Sequence, residues 1–292
     1  MKKSKALATI IFTSFLFATQ GIFFRNLTPL GFTPIQLTAV RGVVSAVLLS
    51  IFVLLTRPGL FRATAKELLL FIPAGVFMFL CACTYYLALS HTTIATATVL
   101  MYSSPIYVLI FSVLFLKERL TPLKLVAVAV MLVGMALVSG IMGGMDFNFR
   151  GVVYAILAGV LYAAYNIVAK IEMRRGSDPV TAMIYCFLVM GVLASLFADV
   201  PEMVSITMQG DTGRILLLLA GIGTVTCAVP YLLYTVALKY VPAGTASALG
   251  LIEPMAAIIY SVVFFNEPLT VPLAVGVVFI LGAVLMISRI KE

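Results

Sequence analysis

The sequence predicts an all-α polytopic membrane protein: ten transmembrane helices arranged as two inverted five-helix repeats. Three observations carry this expectation. The 292 residues are 63% hydrophobic and only 10% charged, with a mean hydropathy of +1.18, whereas ordinary soluble domains are about 25% charged. The apolar residues fall into ten runs of bilayer-crossing length. The second half of the chain also repeats the first.

A helix crosses the hydrocarbon core in about 20 residues. Apolar runs of this kind lie at about 6–24, 34–56, 68–90, 94–116, 122–142, 151–171, 179–198, 214–238, 243–265 and 270–289. The turns between them collect the charges and many of the prolines and glycines. The start, Met1-Lys2-Lys3-Ser4-Lys5 before an apolar run, has the charge pattern of a signal peptide. The run continues to about Phe24 with no clear small-residue cleavage site, so it is read as the first span.

Lys and Arg accumulate in cytoplasmic loops. With the N-terminus in the cytoplasm, the inside holds Lys2, Lys3, Lys5, Arg57, Arg62, Lys66, Lys117, Arg119, Lys124, Lys170, Arg174, Arg175, Lys239, Arg289 and Lys291. The outside keeps Arg25, Arg150 and Arg214 with the acidic group Asp199, Glu202 and Asp211. Ten spans bring the C-terminus back inside, and the expected location is the cell (inner or plasma) membrane. This bias accounts for the net charge of +8 without a nucleic-acid partner. Cys81, Cys83, Cys186 and Cys227 lie in apolar stretches with no disulfide or zinc spacing. The single histidine, His91, sits at a span end without Cys or His neighbours, so no metal is expected, and no cofactor.

Shifting the chain by 149 positions lays "ALSHTTIATATVLMYSSP" (88–105) over "ALKYVPAGTASALGLIEP" (237–254) and "SVLFLKERLT" (112–121) over "SVVFFNEPLT" (261–270). A shift of 145 aligns Arg25 with Lys170 and Pro34 with Pro179. Aligned prolines, Glu118 over Glu267 and both Leu-Thr pairs exceed generic apolar similarity. The halves are expected at 1–146 and 147–292, with the glycine-rich stretch 140–151 linking them. Each half has an odd number of spans, so the two run in opposite directions across the membrane. Inverted repeats are typical of secondary transporters, with the site near the midplane.

The paired segments "SSPIYVLIFSVLFLKERLT" (103–121) and "IEPMAAIIYSVVFFNEPLT" (252–270), followed by spans bearing Gly134 and Gly282, resemble the EamA family of the drug/metabolite transporter superfamily. The stretch "FATQGIFFRNLTPLGFTPIQLTAVRG" (17–42), with Arg41 in the second span, is similar to that family's first two spans. The resemblance covers nearly the whole chain. It implies a transporter of small organic metabolites, frequently an exporter of amino acids or related compounds.

Glu253 is the sharpest candidate. It lies ten residues into the ninth span, roughly 15 Å deep and near the midplane. A lipid-facing carboxylate there costs at least about 2.5–3.5 kcal/mol, so it must face a cavity or a partner. Three roles stay open: an acceptor for an amine-bearing or cationic substrate, a proton-coupling site, or one member of a structural ion pair. Arg41 is its natural partner and is assigned a gating or structural role. Pro105 and Pro254 release the carbonyls of Met101 and Gly250 at equivalent places in the halves and are assigned to the moving elements. Gln20 and Asn166 are amides that need several partners. Together with Tyr85, Tyr102, Tyr165 and Tyr234, they are expected to line a substrate or coupling site.

These residues predict a secondary transporter, by default an exporter, of a small organic solute such as an amino acid or amine. It would work by alternating access around a midplane cavity. A coupling proton or sodium ion fits this scheme, and an oligomer is allowed but not required. An intramembrane enzyme needs a nucleophile with a base, or a metal cluster, at one depth; little in the spans supplies either, and no catalytic residue is assigned. A passive pore stands as the other alternative. The linker glycines lack a phosphate-loop pattern, so direct ATP drive is not expected.

Overall fold

The computed structural model describes residues 2–92, 94–138, 148–265 and 271–288. Most of the 140–151 linker, including Gly140 and Gly144, lies outside the described residues, as do the second-copy turn Asn266-Glu267-Pro268 and the C-terminal Arg289 and Lys291. Among the described residues every regular element is helical. In chain order they are α1 (Lys3–Ala18), α2 (Gln20–Leu27), α3 (Pro34–Thr56), α4 (Ala65–Leu89), α5 (Ile94–Met101), α6 (Ser104–Leu116), α7 (Pro122–Val138), α8 (Phe149–Arg174), α9 (Pro179–Phe197), α10 (Val200–Gln209), α11 (Thr212–Gly223), α12 (Val229–Leu238), α13 (Ala243–Gly250), α14 (Ile252–Phe265) and α15 (Val271–Ser288).

Within the described residues, six helical stretches are long and apolar enough to cross a membrane unaided: Lys3–Leu30, Pro34–Thr56, Ala65–Leu89, Phe149–Arg174, Pro179–Phe197 and Thr212–Leu238. Ser104–Leu116, Pro122–Gly134 and Ala274–Ala283 are shorter apolar helices. Large apolar side chains such as Leu55, Leu69, Leu114, Phe115, Leu196 and Leu217 stand exposed on the outer surface. Apolar exposure on that scale requires a lipid environment. The chain is therefore a multi-pass helical membrane protein.

Local sequence explains where the helices begin. Thr33 and Thr64 open α3 and α4 with capping boxes, reciprocated by Gln36 and Glu67. Asp178 caps α9, with Pro179 in its first turn. Asn148 caps α8 by accepting from the backbone N–H groups of Arg150 and Gly151, so the end of the expected linker is already helix.

The acidic group 199–211 has a local role as well. Asp199 caps α10, a short helix that the span pattern did not predict, and Asp211 caps α11. Glu202 accepts from Gln36 Nε2 at 2.9 Å. The two proline-bearing segments expected as the fourth and ninth spans are broken rather than merely bent. The first changes from α5 to α6 through a turn at Tyr102 and Ser103, and the second from α13 to α14 at Leu251.

The centre is held by close helix crossings. α3 packs on α9 where Gly42 meets Gly191, and a side chain added at either glycine would strike the other helix's backbone. In lipid, small residues at crossings let backbones approach and gain dispersion contact. Gly42→Leu is expected to destabilise the protein by about 3 kcal/mol or more through overpacking, read as a lowered melting temperature in detergent. An unchanged melting temperature would contradict this packing.

Candidate functional site

A cavity of about 860 Å³ opens into the bundle. Its lining residues come from the α1–α2 break, the start of α3, the second half of α4, the α5–α6 break, Tyr162 of α8, Met190, α12 and the α13–α14 break. The lining runs from Ser14, Met78, Ser247 and Glu253 toward the end of the bundle that carries Phe24, Pro34 and Leu89. No lining residue comes from 57–66, 112–124, 170–182 or 238–244, which form the opposite end.

Glu253 lines this cavity from the first turn of α14, with Pro254 beside it. Its carboxylate interacts with the Tyr102 side chain, which stands at the break in the other proline-bearing span. Both helix breaks thus deliver a polar side chain to one chamber. Gln20 lines it too, as the first residue of α2. Tyr85 bonds Thr98 Oγ1 at 2.8 Å, and Tyr86 bonds Thr38 Oγ1 at 3.1 Å. These bonds fix two aromatic walls.

Arg41 also lines the cavity. Its Nη2 donates to the carbonyl of Thr226 at 3.4 Å, while its buried Nε–H has no partner. Thr226 belongs to a π-helical turn, Thr224–Ala228, between α11 and α12. Such turns widen a helix and recur at functional sites. Ser45 Oγ donates to Gly223 O at 2.9 Å just before that turn and anchors it on α3. Arg41 and Glu253 feel each other's charge across the chamber, but no ion pair within 4.0 Å joins them. The direct structural pair weighed from the sequence is therefore not formed.

Three sequence candidates fall outside the lining. Asn166 is fully buried, donates to Tyr162 O at 2.8 Å and accepts from the Tyr234 hydroxyl. It orients Tyr234, which does line the cavity, from behind. Tyr165 is fully buried against the Tyr231 ring, which Phe17 and Phe187 also contact edge-on. Both residues lie about one helical turn beyond Tyr162 toward the closed end, where helices pack without a gap. Pro105 is buried beside Ser104, which does face the chamber.

Several lining residues carried no distinct sequence signal. Phe17, Phe24, Met78, Met101 and Met190 supply apolar wall, and such residues read like lipid-facing ones. Ser247 lines the cavity with a buried hydroxyl that lacks a partner. His91, at its span end, stacks on Tyr154 with centroids 5.9 Å apart.

A lipid-facing helical bundle around a chamber that is mostly apolar, with a few convergent polar groups, has the build of a small-molecule site within a membrane protein. The comparisons with known proteins point to transport. The sequence matches the EamA-like transporter family over residues 4–140 and 149–289, and the chain belongs to that family. It is 30% identical over 282 residues to an "Uncharacterized transporter" of Archaeoglobus fulgidus, covering 97% of this chain and 96% of that protein. It is 26% identical over 286 residues to the "Uncharacterized transporter YwfM" of Bacillus subtilis, covering 96% and 92%. A shorter match, 28% over 109 residues, is to "Solute carrier family 35 member G1" of Mus musculus, covering 37% of this chain and 29% of that one. A solved crystal structure shares the fold with a TM-score of 0.81 at 20% identity, covering 98% of this chain and 96% of the other.

Proposed function

We propose that this membrane transporter is a secondary-active carrier, by family default an exporter, of a small amine-bearing organic solute such as an amino acid. The single observation that carries this reading is the chamber itself. Glu253 presents a carboxylate beside Tyr102 within a wall of Tyr and Met, at the break of a helix. An ammonium group binds Glu253, and the apolar remainder of the solute lies against the rings. Arg41 keeps an unpaired Nε–H on the same chamber, which suits a solute that also carries an anionic or acceptor group. A coupling proton or sodium ion fits the same site.

The carrier works by alternating access between two inverted five-helix halves, 1–146 and 147–292, with ten spans. The shorter spans are α5–α6, α7, α13–α14 and α15. Support comes from packing between equivalent elements: α3 on α9 and α7 on α15. The contact of α6 with α8 is answered by that of α14 with α1. The family match in two stretches, 4–140 and 149–289, supports the same division.

The termini are cytoplasmic and the protein resides in the cell membrane. The support is charge: Arg57, Arg62, Lys66, Lys117, Arg119, Lys170, Arg174, Arg175 and Lys239 all belong to the end away from the cavity. The chamber then faces outward in this conformation. A lining that stops short of the other end favours a gated carrier over an open pore.

A thermal-shift screen against amino acids, their decarboxylated amines, and nucleosides tests the reading, because ligands of the native state stabilise it by mass action. Amine-bearing solutes are expected to raise the melting temperature. Arg41→Gln is expected to weaken the amino acids by roughly tenfold or more, about 1.4 kcal/mol or more, and the decarboxylated amines far less. Stabilisation by nucleosides alone would overturn the amine assignment.

A further inference from the structure

The end of the bundle opposite the chamber is closed by a polar cluster that the solute-binding reading does not use. Lys117, at the end of α6, adopts φ +55°, the one left-handed non-glycine backbone among the described residues. The turn closes on the last turns of α6, with the Glu118 N–H donating to Ser112 O at 3.1 Å. L side chains rarely adopt this conformation, and such outliers persist where surrounding structure fixes them. Here the turn swings Glu118 back under the bundle, where its side chain is only 7% exposed.

Glu118 then contacts the second half of the chain twice. Its Oε1 pairs with Arg174 Nη2 of α8 at 3.2 Å and accepts from the Ala243 N–H, in the first turn of α13, at 3.3 Å. A carboxylate at a helix N-terminus is favoured by the orphan N–H groups there and by the helix dipole. Arg174 Nη1 also donates to Leu116 O at 2.7 Å, so the same guanidinium holds the last turn of α6. Lys170 Nζ donates to Leu238 O and Val241 O, the carbonyls that end α12 and lead into α13. Lys124, buried, lays its stem beside Gly244. The connection from α12 to α13 is thus gripped from both sides.

We propose that Glu118 is the latch of the gate at this closed end: its carboxylate ties α6 to α8 and to the start of α13, and the broken span α13–α14 swings to open this end only when that tie is released. The span so held is the one that carries Glu253, which gives solute at the chamber a mechanical connection to the latch along a single broken helix. The latch rests on the alternating-access reading and adds to it a named element that must let go.

The test is a spin-label distance across this end. Labels at Leu120 and Tyr240, both exposed, follow replacement of Cys81, Cys83, Cys186 and Cys227, with the protein in lipid nanodiscs. Glu118→Ala is expected to add a longer distance and to raise the open-to-closed ratio roughly tenfold. Arg174→Ala, which removes a half-exposed side chain, is expected to act in the same direction and provides the reading if the first variant does not fold. Unchanged distances in both folded variants would overturn the latch. Amine-dependent stabilisation, measured on the same preparations, tests the solute assignment separately, so either can fail without the other.

Discussion

Glu253→Gln is expected to abolish the thermal stabilisation given by amine-bearing solutes while leaving the unliganded protein folded. Glu253 faces the chamber and interacts with Tyr102, so a neutral isostere removes the charge and little volume. Truncating one partner of a desolvated charge pair costs about 2–5 kcal/mol, or roughly 30-fold or more in affinity. The unliganded variant is not expected to melt lower, because a buried charge is itself costly to hold. Binding curves for one amine, wild type against variant, check this. Equal affinities in the two proteins would mean that Glu253 does not touch the solute.

Gly250→Leu is expected to stop transport without unfolding the protein. Gly250 lines the chamber at the end of α13, and a Cβ built there meets nothing within 4 Å. A leucine side chain would project into open chamber, where the solute must sit. In the helix the change is favourable, since leucine is a better helix former than glycine by roughly 0.5–1 kcal/mol. Gly42→Leu is the same substitution at a position filled by Gly191, so it strikes stability instead. Uptake and melting temperature, measured on both variants, should therefore separate: Gly250→Leu inactive and stable, Gly42→Leu unstable. Normal uptake by Gly250→Leu would show that the solute takes another route.

The sequence revealed the membrane class because hydropathy is a local property summed over long runs. It also pointed to much of the chamber. Glu253, Gln20, Arg41, Tyr85, Tyr102, Tyr234 and Pro254 all line it, because a polar group or a proline in an apolar helix is costly unless it meets a cavity or a partner. Asn166 carried the same signal but satisfies it behind the wall, bonded to Tyr162 O and the Tyr234 hydroxyl, and Tyr165 is buried there by ring packing with its hydroxyl unpartnered. One helical turn of depth separates them from Tyr162, and no pattern along one helix reveals where neighbouring helices close together.

Two features depended on contacts between distant segments. The acidic group 199–211, read only as charge on one side of the membrane, also caps two helices and holds Gln36. The Glu118 cluster joins residues more than a hundred positions apart. Met78 and Met190 face the chamber yet look in sequence like lipid-facing residues, since apolar side chains suit both surroundings.

The most direct measurement of the central claim is solute counterflow in proteoliposomes. Vesicles preloaded with an unlabelled amine-bearing solute, identified by the thermal-shift screen, are diluted into a trace of the labelled solute. Wild-type protein is expected to concentrate the label transiently, as a carrier with one alternately exposed site must, and Glu253→Gln is expected not to. Label that only equilibrates with the wild type, or counterflow undiminished in Glu253→Gln, would contradict a gated carrier built around this carboxylate.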